Sequence, residues 1–196
     1  LNGDKMKKLI KIISLFFILI SPSYAEMKFG VEGGLIYADM RAEETAQTLA
    51  NLSGSTVTYE YDEATWQGRL FVDYAINNDF HAEVGYFVSG SLDATYKISG
   101  DSATESYDAM GVDVAGVFHA DGIFFKAGMH SSELNGAASL KIGSTTYNIS
   151  DSISGTGFLV GGGIESDDTR TGLTYYSDLG GDSNSDATFL YYGIKF

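Results

Sequence analysis

Apolar and polar residues alternate along most of the chain with a period of two, which indicates β-strands rather than helices. In each of eight segments, one face carries mainly apolar side chains and the other carries polar, charged or small ones. The segments span residues 29–37, 66–74, 80–89, 110–119, 123–130, 158–165, 170–176 and 188–196. This pattern predicts an all-β protein with eight strands.

The apolar faces contain no Asp, Glu, Lys or Arg, whereas the opposite faces contain five acids and four bases. A charge at the bilayer midplane costs about 2–4 kcal/mol, so uncharged faces favour strands that face lipid. Buried charges need partners, so the near-balance on the other faces predicts ion pairs in an enclosed lumen. The predicted network comprises Glu32, Arg69, Asp73, Glu83, Asp113, Lys126, Glu165, Arg170 and Lys195.

Short and long connections alternate between the predicted strands. Turn-forming residues occupy three short connections, at 77–79, 120–122 and 166–168. The other connections are predicted to be long, polar and largely acidic loops, at roughly 39–64, 91–108, 131–155 and 178–187. Together with the uncharged faces, this alternation predicts an eight-stranded antiparallel up-and-down transmembrane β-barrel. A secreted β-sandwich also alternates, but its outward faces would be the charged ones.

The start of the chain has the three parts of a secretory signal: positive residues, an apolar run and a small-x-small cleavage site. The apolar run of about a dozen residues is shorter than the roughly 20 that span a bilayer. We therefore expect residues 1–25 to be upstream residues and a signal peptide cleaved after Ala25. Residues 26–196 would then form the barrel domain, exported to the outer membrane of a Gram-negative cell.

Two short runs, Gly111-Val112-Asp113 and Phe124-Phe125-Lys126-Ala127-Gly128-Met129, resemble the OmpA-like transmembrane domain. The last strand resembles that family too, although Gly193 is displaced from the family's usual glycine position. The resemblance implies an eight-stranded barrel with a closed, ion-paired core, close in size to the small opacity-like barrels. It also implies an insertion signal, read by the barrel-assembly machinery, at Tyr192, Ile194 and Phe196. The family's periplasmic peptidoglycan-binding domain and proline-rich linker are not expected here.

The charge balance of the chain limits the classes of molecule that the protein is expected to bind. The leader holds four Lys and one Asp, so residues 26–196 contain 8 basic and 25 acidic residues. Nucleic acid needs clustered Lys and Arg, so it is excluded as a partner. The chain has no cysteine, so it forms neither disulfides nor thiolate metal sites. The expected partners are outer-membrane lipid, lipopolysaccharide and the assembly machinery, and the protein is expected to be a monomer.

Three sets of residues partly resemble catalytic or metal-binding sites, and each resemblance is incomplete. His130-Ser131-Ser132 has the His-x-Ser spacing of the lipid A deacylase barrels, but the following Asn is replaced by Glu133. The run 182–186 begins like a calcium loop, but it lacks the glycine and the final glutamate. The three histidines lie on different predicted strands with no ligand spacing. We therefore predict no catalytic, cofactor or metal site.

These observations leave two functional hypotheses of different classes. The first is a non-enzymatic barrel with a structural or surface-interaction role, whose lumen is plugged by side chains. The second is a small pore for ions or small solutes, motivated by the many glycines on the lumen face. A lipid A-modifying enzyme is a weaker third reading.

Overall fold

Eight antiparallel strands pair in a closed ring. The computed structural model describes residues 26–39 and 41–196, so the predicted signal peptide and its cleavage after Ala25 lie outside the described residues. The elements, numbered in chain order, are β1 (Met27–Ala38), α1 (Ala42–Ser53), β2 (Val57–Tyr61), β3 (Ala64–Ala75), β4 (Phe80–Ser89), β5 (Leu92–Ile98), β6 (Asp101–Ala120), β7 (Ile123–Ile142), β8 (Thr145–Ser166), β9 (Thr169–Tyr176) and β10 (Ala187–Lys195). A short 3₁₀ turn, Leu179–Gly181, precedes β10. The order around the ring is β1-β3-β4-β6-β7-β8-β9-β10, and β10 pairs with β1 to close it. The predicted all-β barrel fold is confirmed.

The two ends of the ring differ in their connections. The predicted turns are confirmed: β3 joins β4, β6 joins β7 and β8 joins β9 through two to four residues at one end, here named the short-turn end. Between β6 and β7, Asp121 and Gly122 both have positive φ, as a two-residue type I′ hairpin requires. The opposite end, which carries the remaining connections, is here named the long-loop end.

The long connections are largely regular structure, which the sequence pattern did not predict. Strands β6, β7 and β8 continue for 20, 20 and 22 residues, whereas about 9–11 suffice to cross a membrane. Strand β5 pairs with the upper part of β6, and β2 pairs with β5. The structure thus has a five-stranded sheet beyond the barrel, here named the extension, made of residues 57–61, 92–98, 101–109, 131–142 and 145–157.

Helix α1 covers part of the inner face of the extension. Its buried residues Ala42 and Ala46 pack against Ala94 and Tyr96 of β5. The Tyr96 hydroxyl donates a hydrogen bond to Glu105 on β6. Burial raises the pKa of Tyr96, so this hydroxyl stays protonated and remains a donor. Among the described residues, no helix is both long and apolar enough to cross a membrane.

Candidate functional site

The exterior of the ring is apolar. Val114 in the barrel part of β6, Phe125 on β7 and Leu173 on β9 are 52%, 60% and 51% exposed. These residues belong to the uncharged faces identified in the sequence, and they point away from the lumen. Such a surface is stable in hydrocarbon and would be unfavourable in water.

The middle of the lumen is filled by buried charges around Arg69 of β3. The Arg69 guanidinium binds Asp113 through two hydrogen bonds, of 2.9 Å from Nε and 2.6 Å from Nη2. Its Nη1 lies 3.0 Å from Glu32 Oε2, and its Nη2 lies 3.2 Å from Glu83 Oε2. One arginine therefore joins acids from three other strands.

Two further bases complete this group. Arg170 of β9 forms ion pairs with both Glu32 and Glu83. Lys126 Nζ lies 4.0 Å from Glu32 Oε1 and 4.8 Å from the centre of the Tyr191 ring. The central cluster, defined as Glu32, Arg69, Glu83, Asp113, Lys126 and Arg170, contains three acids and three bases. All six side chains are at most 1% exposed, so their charges are compensated within the protein.

Small and aromatic residues shape the space around the central cluster. A Cβ atom on Gly85 would lie 2.6 Å from Arg69 Nη2, so only glycine leaves room for that guanidinium. The Arg170 guanidinium lies 4.0 Å from the centre of the Phe71 ring, within range of a cation–π interaction. Towards the long-loop end, fully buried Phe87 and Phe189 belong to an apolar layer that also fills the lumen. The sequence pattern did not predict this layer.

The other three predicted network residues lie together near the short-turn end. Lys195 Nζ is 3.6 Å from Asp73 Oδ2 and also forms an ion pair with Glu165. Two histidines that the sequence pattern did not connect join them. His81 Nδ1 lies 2.8 Å from Asp73 Oδ1, and His119 Nδ1 lies 3.5 Å from Glu165 Oε1.

The two histidine rings lie in contact across neighbouring strands, with their centres 4.2 Å apart and their planes tilted by 46°. His81 is the second residue of β4, and His119 is the last but one of β6. Since β4 and β6 are antiparallel partners, these positions meet at the same end of the ring. Both histidines occupy lumen-facing positions in the alternating patterns of their strands. This shared orientation was the sequence signal that could have indicated the contact. The sequence prediction treated the histidines as separate, and the fold places two of them side by side.

The third histidine does not form a catalytic arrangement with the neighbouring serine. His130 Nε2 donates a hydrogen bond of 2.7 Å to the Ser177 carbonyl oxygen. Ser132 Oγ accepts a hydrogen bond of 2.8 Å from the Gly180 N–H. Both polar groups thus bind the backbone of the loop that leads to β10. The exposed side chains of Tyr192, Ile194 and Phe196 lie on or next to β10, and their role in assembly remains a prediction.

Known proteins resemble this chain in fold and not in sequence. No protein-family model matches the chain, and no curated protein matches it in sequence. Among solved structures, it is similar to Ail, the attachment invasion locus protein of Yersinia pestis, with a TM-score of 0.54 and 13% identity over 88% of this chain and 97% of that chain. OprG of Pseudomonas aeruginosa has a TM-score of 0.49 and 8% identity, over 88% of this chain and 97% of its own. Neisserial surface protein A has a TM-score of 0.44 and 15% identity, over 88% of this chain and 98% of its own.

At 13% identity, the likeness to Ail concerns the fold alone. It agrees with the closed ring of eight strands and with the apolar exterior of that ring. This chain therefore has the fold of the small eight-stranded outer-membrane β-barrels, and the outer membrane is where that fold and its lipid-facing exterior belong.

Proposed function

We propose that this protein is a non-enzymatic outer-membrane barrel with a structural or surface-interaction role and a lumen closed by its own side chains. The central cluster carries the first part of the proposal. It joins residues from β1, β3, β4, β6, β7 and β9 across the lumen, so its ion pairs span the space that a permeating ion would need. An eight-stranded barrel encloses only enough space for side chains, which agrees with closure.

The cavities at the two ends support a closed lumen. One, of about 1150 Å³, opens at the short-turn end, and the other, of about 400 Å³, opens at the long-loop end. They share no lining residue, and the central cluster and the apolar layer of Phe87 and Phe189 lie between them. A solute entering either cavity would meet buried charge or packed aromatic rings.

The extension supports a surface-interaction role. Its β7–β8 hairpin presents five large apolar side chains on the inner face, and each is at least 41% exposed: Leu140, Ile142, Tyr147, Ile149 and Ile153. Helix α1 covers only the neighbouring part of this face, over β2 and β5. Residues 145–152 of β8 pair with β7 and with no other described strand, so the other edge of this stretch offers free backbone hydrogen-bonding groups. Exposed apolar faces and free strand edges are both features of protein-binding surfaces.

Planar-bilayer recording tests closure of the lumen. Purified, refolded protein should give little steady conductance, because no continuous water path passes the central cluster. Protein-free bilayers with the same detergent provide the control. Large, stable, ion-selective steps from the unmodified protein would contradict the proposal.

A small pore is the second candidate. The partition between the two cavities consists of the side chains of the central cluster and of the apolar layer, and side chains can change rotamer. If the partition opens, replacing Lys126 or Arg170 with Ala should change conductance or ion selectivity. A current that neither substitution alters would count against a path through the lumen.

Catalysis is not part of the proposed function. The His130 and Ser132 groups that resemble a deacylase pair bind backbone groups instead of each other. Purified protein mixed with lipid A should therefore release no acyl chain. Release that is lost in a Ser132→Ala variant would contradict this statement.

The proposal also includes the route to the membrane and the assembly state. Tyr192, Ile194 and Phe196 would form the signal read by the assembly machinery, and the folded protein would be a monomer. A Phe196→Ser variant should accumulate unassembled in cells while refolding normally in detergent. Equal assembly of the variant and the unmodified protein would remove the signal from the proposal.

A further inference from the structure

Three side chains with metal-binding atoms meet at the short-turn end of the lumen. Asp73 lies on β3, His81 on β4 and His119 on β6, which are consecutive strands of the ring. One ligand atom from each residue lies within 4.8 Å of the others. Two imidazoles and a carboxylate are a donor set that proteins use for zinc and other first-row transition metals.

The hydrogen bonding of His119 is the second observation. Its Nε2 atom is buried, and no described residue forms a hydrogen bond with it. Its other ring nitrogen lies at 3.5 Å from Glu165, which is a long contact. A buried imidazole nitrogen without a partner is costly in a structural role, whereas a bound cation would satisfy it.

The electrostatic surroundings favour a cation. The cavity at this end has six acids in its wall: Glu26, Asp73, Asp79, Asp121, Glu165 and Asp167. Only two bases, Lys28 and Lys195, line the same cavity. Lys195 is engaged by Glu165 as well as by Asp73, so it can neutralise Glu165 while Asp73 Oδ1 faces His81. The cavity therefore concentrates cations close to the two histidines.

We propose that Asp73, His81 and His119 bind a divalent transition-metal ion, with Zn²⁺, Ni²⁺ and Cu²⁺ as the class of ligand. Both histidines coordinate as neutral imidazoles, and His81 offers Nδ1 with its proton on Nε2. In a tetrahedral zinc site, bonds of about 2.1 Å place ligand atoms roughly 3.4 Å apart. The 2.8 Å between His81 Nδ1 and Asp73 Oδ1 must therefore widen slightly, which the adjoining open cavity allows.

The ion would tie three neighbouring strands together where the lumen opens. Its expected contribution is local, because the central cluster already links the same strands deeper in the barrel. The site does not depend on whether the lumen conducts or on what the extension binds.

Metal titration of the refolded, tag-free protein tests the site. We expect Zn²⁺ and Cu²⁺ to bind with one ion per chain, and the Cu²⁺ electron paramagnetic resonance spectrum to show coupling to two nitrogens. His81→Ala and His119→Ala should each weaken Zn²⁺ binding at least about tenfold, since even residues that only support a ligand contribute that much.

His130→Ala is the matched control. His130 also faces the lumen, but it binds the Ser177 carbonyl oxygen, far from the short-turn end. This variant should leave Zn²⁺ affinity unchanged. Heat-modifiable migration on gels establishes that each variant is folded. The proposal is overturned if the unmodified protein binds Zn²⁺ no more tightly than the His81→Ala/His119→Ala double variant. It is also overturned if His130→Ala loses as much affinity as the other two variants, or if the spectrum shows no nitrogen coupling.

Discussion

The barrel wall and the extension share three strands, β6, β7 and β8, yet the polar and apolar faces of these strands are exchanged between the two regions. Within the wall, β7 turns Phe125 and Met129 outward and Lys126 inward. From residue 131 onward, the outward positions of β7 become polar, as at Glu133. The inward positions become largely apolar, as at Leu140. Strand β8 makes the same exchange near Thr156. The strand geometry is unbroken across both exchanges, so they reflect a change of solvent rather than of fold.

The reversal of face polarity along β7 and β8 marks the expected edge of the membrane. A side chain facing outward meets lipid in the wall and water in the extension, so the preferred polarity of that face reverses. The interiors differ as well. The wall encloses paired charges, whereas the inner face of the extension carries alanine, tyrosine and isoleucine packed partly under α1.

The largest expected difference between the two regions concerns buried and exposed ions. Arg69→Met leaves Glu32, Glu83 and Asp113 short of a partner and should lower the free energy of unfolding by about 3–5 kcal/mol. Lys97→Met in the extension removes an exposed pair at 4.0 Å and should cost no more than about 1 kcal/mol. Urea titration of refolded protein, followed by fluorescence of the sole tryptophan, Trp66, measures both. Equal losses would mean that the lumen charges are not effectively buried.

A smaller effect is expected on the outward face of a single strand. Val114→Lys places a charge at the middle of the wall and should cost about 2–4 kcal/mol. Thr104→Lys places the same charge at an outward position of β6 in the extension and should cost less than about 0.5 kcal/mol. Unfolding in lipid vesicles measures both values. Comparable costs would contradict a membrane edge between residues 104 and 114.

The smallest effect is local and concerns α1. Ala46→Asp buries a charge against β5 and should destabilise the docked helix by about 1–3 kcal/mol, with little effect on the barrel. Gln47→Asp, at an exposed position one residue later, is the matched control. Hydrogen exchange of the amides at 42–53 should accelerate in the first variant only. Similar exchange in both variants would mean that α1 is not held by its buried face.

The sequence predicted those parts of the fold that depend on the local alternation of apolar and polar residues. The eight segments and the three short turns depend on spacing along the chain, and the structure has them. The extension was not predicted, because its strands continue through a reversal of polarity that resembles the end of a strand. Residues 131–142, for example, read as a polar loop when the outward face alone is followed.

The candidate site was predictable only in part, for the same reason. The alternation assigns each charged residue to the lumen face of its strand. It does not determine the register between strands, and therefore not which residues meet across the lumen. Arg69 meets Glu32, Glu83 and Asp113 because of the register between strands, and His81 meets His119 because β4 and β6 pair. Such contacts are 14–44 residues apart along the chain.

By itself, the sequence determined that this protein is a barrel of eight strands with hydrocarbon outside and charge within, since a period of two assigns every side chain to a face. Only the tertiary structure decided how nine charged residues divide between a central cluster and a smaller group near the short-turn end, and that two histidines join the latter. The physical reason is that a face is a local property of one strand, whereas a contact across the lumen depends on the register and closure of all eight.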